Sequence, residues 1–566
     1  MIFGEIIYGK LREQPTSLFV PFQPLCGGRN TRFCEFDRRT MTYVQGGVFP
    51  FGMRLATCIV HIIGTFLVVR VAIMWDRSPK RAMCLLAACL FASHPVHVEN
   101  LAYIVGFADS LSTVFLALAL CTYKHISWSM CMCLLSCLSK ESGFVSFPLV
   151  FLARFLTGHS LIPSFIATVA APIVRYLYVG GSPVNFAYAD VPYIYEPSAF
   201  VRGLSYLHVH SIYARLLVLP WNMSWDYSFD AVPVVNCISD FRLLGALSTY
   251  LAVSALGWYA TASTGSMIGF AVFTCSFVPA SSLFLAVGTV VGERLLYPVS
   301  FGLAVLLAQV EAPSRKFLLL LTALLPVYLV LFHGRVGVWS SKFLLYQTDA
   351  LAWPRSCKTL HQYGAVLVNH PTLRDDQVVL EILNKSLSVF DDNALTDYLI
   401  SQIFLESGRV ADAVAVHEKI ANGHGIGFTD FSRFMFLVDA GYALIANGNL
   451  SMYPVSIIEE GLEIYPYVPH AHNAAGIACM HSGRMEQAFL HLAKANEYSS
   501  HRNPVVWNNL AVWYFGVGSD GAAKECLDQA VRVGGGHHVG IMENLGRVKE
   551  GKFENLTLEL FYERMT

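Results

Sequence analysis

Charged residues are scarce in this chain of 566 residues. Asp, Glu, Lys and Arg make up 14% of it and hydrophobic residues 54%, whereas an average soluble domain is about 25% charged. The formal net charge is −1, so we expect no strongly basic surface and no nucleic-acid partner. A composition this poor in charge indicates a chain that lies largely in a membrane.

Metal-binding cysteine motifs are also missing from the sequence. The fourteen cysteines include no C-x-x-C pair with a matching His or Cys pair, so we predict no metal site and no disulfide framework. Most of them lie in or beside apolar runs, where cysteine behaves as a small hydrophobe. Residues 1–50 are polar and rich in turn residues, and they contain neither a membrane span nor a signal peptide.

The few charges are unevenly distributed. Residues 1–350 hold 23 Lys/Arg and 16 Asp/Glu, whereas residues 351–566 hold 16 and 24, so the formal net charges are +7 and −8. We therefore predict an all-α protein with a luminal N-terminal segment (1–50), a polytopic helical membrane domain (51–345) and an acidic globular domain (346–566).

Lysine and arginine in short loops predict the topology, because they mark the cytoplasmic side of a membrane. They occur at Arg77–Arg81, at Lys124 and at Arg315–Lys316. The loop His94–Glu99 and everything after His333 then lie on the opposite side. We expect nine to eleven spans.

The last part of the chain repeats with an offset of 35 residues. Asn473–Gly476 aligns with Asn508–Ala511, and Asn544–Gly546 continues at the same spacing. A period near 34 is typical of tetratricopeptide helix–turn–helix units, which stack into a solenoid with a concave groove. We predict roughly five such repeats, with Gly483 and Gly518 at matching turns.

Four N-x-S/T triplets are possible glycosylation sites. Three fall in the predicted repeat domain, at Asn384, Asn449 and Asn555, and one falls in a membrane-domain loop, at Asn222. Triplets this short arise by chance, so each is a weak signal. Together they agree with the charge pattern in placing the repeats in a lumen.

Ionisable residues cluster between two apolar runs. His94, His97, Glu99 and Asp109 fall within sixteen residues. Each such group costs about 2.5–3.5 kcal/mol at the centre of a membrane helix on insertion scales, so a function is expected. A connecting loop at the level of the lipid headgroups, where His and Glu cost little, explains this stretch equally well when it is taken alone.

A second charged stretch, Lys140–Glu141, interrupts the apolar run Ile126–Leu156. The residues before it are too few to cross a bilayer, which needs about 20. The two charges therefore lie either inside the membrane domain or at a sharp break between two half-segments. A mutually neutralising Lys–Glu pair is the simplest structural interpretation, and for Glu293–Arg294 a structural ion pair and a ligand contact remain equally open.

Five motif blocks follow one another along the chain: Phe49–Gly52, His94–Glu99 with Gly106 and Asp109, Ser139–Glu141, Pro220–Asp226 and Pro279–Gly302. In this order, and followed by the repeats, they resemble the transmembrane and tetratricopeptide-repeat-containing proteins of the endoplasmic reticulum. That family is taken to consist of protein O-mannosyltransferases of the GT-C glycosyltransferase fold. The resemblance runs from about Phe19 to the C-terminus, and the last block is the most specific.

The resemblance implies an activity and a set of site residues. Mannose would pass from dolichyl-phosphate mannose to Ser or Thr hydroxyls of luminal or secretory proteins, which the repeats would engage, in the endoplasmic reticulum membrane. No cofactor is assigned. The expected contacts to the donor phosphate are Lys140, Arg294, His94 and His97. Glu99 and Asp109 are candidates to support catalysis, and Glu141, Glu293 and Asp226 are further supporting residues.

Two departures from the family pattern bear on activity. The family's first luminal loop carries an acidic pair, the presumed general base, and no residue here matches it; Phe107 also stands where the family tends to have Arg. We therefore expect residues 1–566 not to transfer mannose on their own. A catalytically inactive, membrane-tethered luminal interaction scaffold is the alternative function, and a transporter with broken helices is a third.

Overall fold

The computed structural model describes residues 43–44, 47–48, 50–75, 81–179, 186, 188, 190–284, 287–311, 313–370, 372–421, 430–446, 453–549 and 558. Helices dominate these residues, so the all-α fold class is confirmed. The described chain forms two compact units, the first ending at Asp391 and the second beginning at Asp392. The domain boundary at residue 346 stays a prediction. Helices Lys342–Ala352, Cys357–Val368 and Asp376–Val389 belong to the first compact unit.

The first unit begins with a two-residue antiparallel ladder, β1 (Tyr43–Val44) and β2 (Gly47–Val48), in which Tyr43 pairs with Val48. Its helices in the described ranges are α1 (Pro50–Trp75), α2 (Arg81–Ala92), α3 (His97–Ala102), α4 (Ile104–Cys121), α5 (Ile126–Ser139), α6 (Ser146–Leu156), α7 (Ile162–Val179), α8 (Ala199–Val218), α9 (Leu243–Ala260), α10 (Thr264–Phe277), α11 (Leu296–Ala308), α12 (Arg315–Val338), α13 (Lys342–Ala352), α14 (Cys357–Val368) and α15 (Asp376–Val389). Short 3-10 helices occur at Glu141–Val145, Pro192–Tyr195, Phe229–Ala231, Val278–Ala280 and Glu293–Leu295. The remaining residues 1–42 of the predicted N-terminal segment lie outside the described residues.

Four helices of this unit, α1, α4, α9 and α12, are long and apolar enough to cross a membrane by length and composition. Other apolar helices, including α2, α5, α7 and α10, have stretches of fewer than 18 residues. The sequence predicted nine to eleven spans, but only four helices in the described ranges are long and apolar enough to cross a membrane. Several apolar runs are divided into shorter helices, and hydropathy alone does not detect such breaks.

One such break occurs at Lys140. Helix α5 ends at Ser139, Lys140 is extended, and a 3-10 helix (Glu141–Val145) leads into α6. A Cβ atom on Gly143 would overlap the backbone of Ser136, so the chain turns back on itself at a distance that only glycine permits. Of the two alternatives from the sequence, the sharp break between half-segments is the one present.

The core of the first unit lies between α1, α4, α10 and α11. The side chains of Tyr297 and Phe301 are fully buried in it. A Cβ atom on Gly269 would lie 2.7 Å from the backbone nitrogen of Leu306, and one on Gly302 would overlap the backbone of Phe273. Small residues at these positions let α10 and α11 approach closely, as is typical of helix packing in membranes.

The second unit is a series of helix pairs. Its helices in the described ranges are α16 (Ala394–Glu406), α17 (Val410–Ala421), α18 (Asp430–Ala446), α19 (Tyr453–Ile464), α20 (Pro469–His481), α21 (Met485–Tyr498), α22 (Pro504–Gly516), α23 (Asp520–Arg532) and α24 (Val539–Lys549), with a 3-10 helix at Gly535–His537. Gly408, Gly483 and Gly518 occupy equivalent turns between paired helices, with φ of +72°, +76° and +79°. The repeat architecture and the turn glycines are therefore as predicted.

A chain of buried asparagines links three successive repeats. The Asn509 amide donates to the Asn473 side-chain oxygen at 3.0 Å, and the Asn508 amide donates to the Asn509 oxygen at 3.3 Å. The Asn544 amide then donates to the Asn508 oxygen at 2.9 Å. All four side chains are fully buried. Buried amides that are hydrogen-bonded to one another at this spacing hold neighbouring repeats in one register.

Candidate active site

Glu99 and Arg294 form the first of two buried cation–carboxylate pairs. The Arg294 Nη1 donates to Glu99 Oε1 at 2.7 Å, and the Arg294 backbone nitrogen donates to Glu99 Oε2 at 2.9 Å. Glu99 lies on α3, in the loop first noticed for its ionisable groups, and Arg294 lies in the Glu293–Leu295 turn. A carboxylate that binds both the side chain and the backbone of one residue fixes that residue's orientation.

Asp109 and Lys140 form the second pair. The Lys140 ammonium donates to Asp109 Oδ2 at 3.2 Å. Asp109 lies in the first part of α4, and Lys140 stands at the break after α5. The predicted Lys140–Glu141 pair is therefore wrong: Glu141 is mostly exposed and bonds to Arg175 instead. Neighbouring residues in an extended backbone point to opposite sides, so the two charges separate.

The two pairs are brought together by Asn100 and Gly106. The Asn100 amide donates to the Gly106 carbonyl at 3.0 Å and to the Arg294 carbonyl at 3.4 Å. A Cβ atom on Gly106 would lie 2.7 Å from the Asn100 Cα, so only glycine allows this approach. The glycine of the predicted motif therefore closes the turn that joins the carboxylate-bearing helices α3 and α4.

In both pairs the carboxylate is more deeply buried than the cation. The side chains of Glu99 and Asp109 are 2% and 1% exposed, whereas those of Arg294 and Lys140 are 24% and 28% exposed. Burial lowers the pKa of Arg294, but the charges of Glu99 and Asp109 outweigh it, so this pKa lies above its ordinary value. Lys140 and Arg294 are thus each bound by a buried carboxylate and keep partly exposed donors.

His94 and His97 lie in a buried aromatic cluster rather than at the cation pairs. The His94 Nε2 bonds to the Leu217 carbonyl at 3.0 Å, and the His97 Nε2 bonds to the Ser300 hydroxyl at 2.8 Å. The His97 ring stands 5.2 Å from the ring of His61. Both predicted residues are buried, and they join the loop to α8 and α11; their contact with a donor phosphate stays a prediction.

Glu293 does not pair with its neighbour Arg294. Its Oε1 accepts hydrogen bonds at 2.7 Å from the Ser224 backbone nitrogen and from the Tyr227 hydroxyl. Its Oε2 lies 3.9 Å from Arg335. The interpretation of Glu293–Arg294 as a structural ion pair is therefore wrong, because the turn sends the two side chains to different partners. Burial raises the pKa of Glu293 to about 8.

Arg335 and Asp349 are part of this site and were not identified from the sequence. The Arg335 Nη1 donates to Asp349 Oδ1 at 2.7 Å, and the Trp225 backbone nitrogen donates to Asp349 Oδ2 at 2.7 Å. Burial raises the pKa of Asp349. One feature of the sequence could have indicated the pair. Arg335 lies near the end of α12, a largely apolar helix, and a charged residue in such a helix usually has a buried partner or a function.

Asp226, predicted as a supporting residue, folds its own loop. Its Oδ2 accepts from the Ser228 backbone nitrogen at 3.0 Å, and its carbonyl accepts from the Ser224 hydroxyl at 2.8 Å. Burial raises the pKa of Asp226, and the nearby charge of Arg294 offsets part of this rise. The Trp225–Asp226 loop is thereby held beside Glu293 and Asp349.

Two further observations limit what this site holds. Phe107, where the family tends to have Arg, packs against the apolar core of the first unit. Within the described ranges, no group of three or more His, Cys, Asp or Glu residues is placed to bind a metal ion. Three cations of the described site, Lys140, Arg294 and Arg335, each bind a carboxylate.

Comparison with known proteins agrees with the motif blocks. A family profile described as "Protein O-mannosyl-transferase TMTC, DUF1736" matches residues 180–254. Protein O-mannosyl-transferase F38B6.6 of Caenorhabditis elegans is 28% identical over 301 residues, which cover 51% of this chain and 44% of the relative. The chain is therefore similar to the protein O-mannosyl-transferase TMTC proteins. Human TMTC4 is 26% identical over 398 residues, covering 58% of this chain and 54% of the relative.

The chain spans about half the length of the curated TMTC proteins that it matches. Human TMTC2, for example, is 24% identical over 426 residues, covering 55% of this chain and 50% of TMTC2. Among solved structures, the TPR protein YrrB, which has an unusual peptide-binding site, overlaps 34% of this chain at 14% identity with a TM-score of 0.29. The solenoid assignment rests on the helix pairs and turn glycines described above.

Proposed function

We propose that this chain is a membrane-bound protein O-mannosyltransferase that transfers mannose from dolichyl phosphate to Ser and Thr hydroxyls of luminal proteins. The observation that carries the proposal is the pair of partly exposed cations, Lys140 and Arg294, each held by a buried carboxylate. The names of the TMTC relatives support the same activity.

The two cations suit a phosphate leaving group. In the reaction, the acceptor hydroxyl oxygen bonds to the anomeric carbon of mannose while the bond from that carbon to the donor phosphate oxygen breaks. The electron pair stays on the phosphate, and the hydroxyl proton passes to a base. Lys140 and Arg294 stabilise the charge that builds on the phosphate, which is the kind of preorganised electrostatic contribution that dominates many enzymes.

Glu99 and Asp109 act in this proposal as positioning residues. Each binds a cation, so neither is assigned as the base that accepts the hydroxyl proton. The same observation favours the second candidate function, a catalytically inactive scaffold in the membrane, because both carboxylates closest to the cations are already engaged in ion pairs.

The proposed setting is the endoplasmic reticulum membrane, with several membrane passes. The repeats face the lumen, where luminal or secretory acceptor proteins bind to them. Lysine and arginine in the short loops support this orientation. The helix pairs of the second unit provide the stacked surface that solenoids use for binding.

Transfer can be measured in membranes that contain the full chain, with radiolabelled dolichyl-phosphate mannose and a Ser/Thr-rich acceptor. The unaltered chain first tests the expectation, drawn from the missing acidic pair, that residues 1–566 do not transfer mannose on their own. If the unaltered chain does transfer mannose, Lys140→Ala and Arg294→Ala should each lower the rate at least about 100-fold, the loss typical of removing one charge-stabilising donor. Lys316→Ala removes the same charge at the exposed start of α12, away from the site, and should leave the rate unchanged.

Two outcomes separate the alternatives. Full transfer by Lys140→Ala and Arg294→Ala would show that the donor phosphate binds elsewhere. No transfer by the unaltered chain, together with retained capture of the acceptor by its repeats, would identify the scaffold function.

A further inference from the structure

A cavity in the first unit shares no residue with the candidate active site. It consists of two adjoining open pockets, called lobes below, of about 480 and 680 Å³, which share His208, Arg215 and Arg242. The smaller lobe, called the upper lobe, reaches the loop at Trp221. The larger, called the lower lobe, extends between α8 and α9 to Ala252. The cavity therefore extends from the loop at Trp221 to the surface of α9, a helix long enough to cross a membrane.

Arg215 supplies a positive charge to this cavity. Its Nη1 donates to the Trp221 carbonyl at 2.6 Å, and its guanidinium lies 5.6 Å from the centre of the Trp221 ring. Arg242, in contrast, is bound to Asp240 at 2.7 Å. In the described part of the chain, no carboxylate lies within ion-pair distance of Arg215.

The lower lobe opens along the outer surface of α9. Only 11% of this spanning helix is buried inside the protein, and Leu244, Leu247 and Leu251 are exposed on it. Ser248 and Ala252 line the cavity on the same helix. An occupant therefore needs an anionic group at the level of Arg215 and an apolar part that lies along α9.

We propose that this cavity binds the phosphate of an acidic glycerophospholipid from the surrounding bilayer, with the acyl chains along α9. An arginine close to hydrocarbon is costly unless it has a partner, and anionic lipid headgroups are attracted to such residues. The occupant is distinct from the mannose donor, because Lys140 and Arg294 lie outside the cavity. The inference therefore does not depend on the proposed activity.

The test counts lipid bound to the purified full chain. The protein is incorporated into nanodiscs of phosphatidylcholine with a minor fraction of phosphatidylserine and then released into mild detergent. Native mass spectrometry measures the mass of the chain with its bound lipid. We expect about one phosphatidylserine per chain. Arg215→Gln should retain about fivefold less, as is usual for one basic residue at a lipid surface. Arg202→Gln, on the same helix but outside the cavity lining, should retain the full amount.

A second variant leaves Arg215 in place. Ala252→Trp fills the lower lobe and should also lower phosphatidylserine retention. If Arg215→Gln unfolds at a lower temperature than the parent, the result for Ala252→Trp decides the test. Equal retention of phosphatidylcholine, displacement by free inorganic phosphate, or unchanged retention in both variants would overturn the proposal. Displacement of phosphatidylserine by dolichyl phosphate, one for one, would instead assign the cavity to the donor lipid.

Discussion

At the scale of the residue, the site consists of cations oriented by buried carboxylates. Lys140 is held by Asp109, and Arg294 is held by Glu99. In each pair the carboxylate is almost completely buried, which leaves the cation as the partly exposed member. This arrangement preorganises positive charge at little further cost in side-chain entropy when an anion binds.

Arg335 is the residue whose loss should be most damaging to the first unit. It neutralises Asp349 at 2.7 Å and lies 3.9 Å from Glu293, and all three side chains are buried. We expect Arg335→Met to lower the free energy of unfolding by about 3–5 kcal/mol, because it leaves the buried Asp349 carboxylate without a cation. Thermal unfolding of the detergent-purified chain measures this loss.

A double variant supplies the control. Arg335→Met combined with Asp349→Leu removes both members of the closest pair, so it should be less destabilised than Arg335→Met alone. Equal unfolding temperatures for the parent and Arg335→Met would mean that this ion pair does not hold α12 to α13.

At the scale of the element, glycine decides where helices turn and how closely they pack. Gly143 and Gly302 allow two helices to approach until their backbones touch. Gly408, Gly483 and Gly518 instead adopt positive φ in open space at the turns between paired helices. The first kind of glycine is required for packing and the second for backbone conformation.

Gly483→Ala tests the conformational requirement. Nothing lies within 4 Å of a Cβ atom at this position, but its φ is +76°, which costs an L-residue roughly 1–2 kcal/mol. We expect the unfolding free energy of the second unit to fall by about this amount in chemical denaturation.

Gly521→Ala is the matched comparison, because this glycine also lies in open space but within α23. It should not destabilise, since alanine is favoured over glycine in a helix. If both variants lose stability equally, strain at the turn is not the cause.

At the scale of the whole molecule, the two units differ in how apolar their helices are and in how these are arranged along the chain. The first contains four helices apolar enough for a membrane, and the second is a helical solenoid. Two properties of the whole chain follow: the side of the membrane on which the later helices lie, and the dependence of the solenoid on pH.

Topology can be tested at Asn384, which is exposed on α15; Asn449 and Asn555 lie outside the described residues. If the chain after His333 faces the lumen, Asn384 should carry a glycan. Endoglycosidase treatment should then increase the gel mobility of the unaltered chain more than that of Asn384→Gln. Digestion of the repeats by protease in sealed microsomes would contradict this orientation.

The solenoid should lose stability in acid. Burial lowers the pKa of His417, His470 and His472 from 6.5 to about 4 each. The unfolded chain therefore binds more protons between pH 4 and 6.5, so stability falls as the pH drops through this range. Each histidine contributes up to about 3 kcal/mol, at 1.36 kcal/mol for each unit of pKa.

Hydrogen exchange of α17–α21, corrected for the intrinsic pH dependence, measures this loss. His417→Phe should make it smaller, because His417 already packs against Phe436 with ring centres 4.9 Å apart and phenylalanine does not titrate. Protection that stays constant from pH 6.5 to 4 would contradict the prediction, because it would mean that the folded and unfolded chains bind the same number of protons at these histidines.

The sequence alone was sufficient for the features that local patterns encode. The apolar runs and the 35-residue period separated a membrane part from a solenoid, and the turn glycines followed from the repeat pattern. At Lys140 the sequence left a position inside the membrane domain and a sharp break both open. Only the tertiary structure decided which charges meet. Lys140 binds Asp109, 31 residues away, and Arg294 binds Glu99, 195 residues away, while the sequence neighbours Glu141 and Glu293 turn to other partners. Ion pairing depends on distance in space between segments that are remote in sequence, and helical periodicity carries no information about that distance.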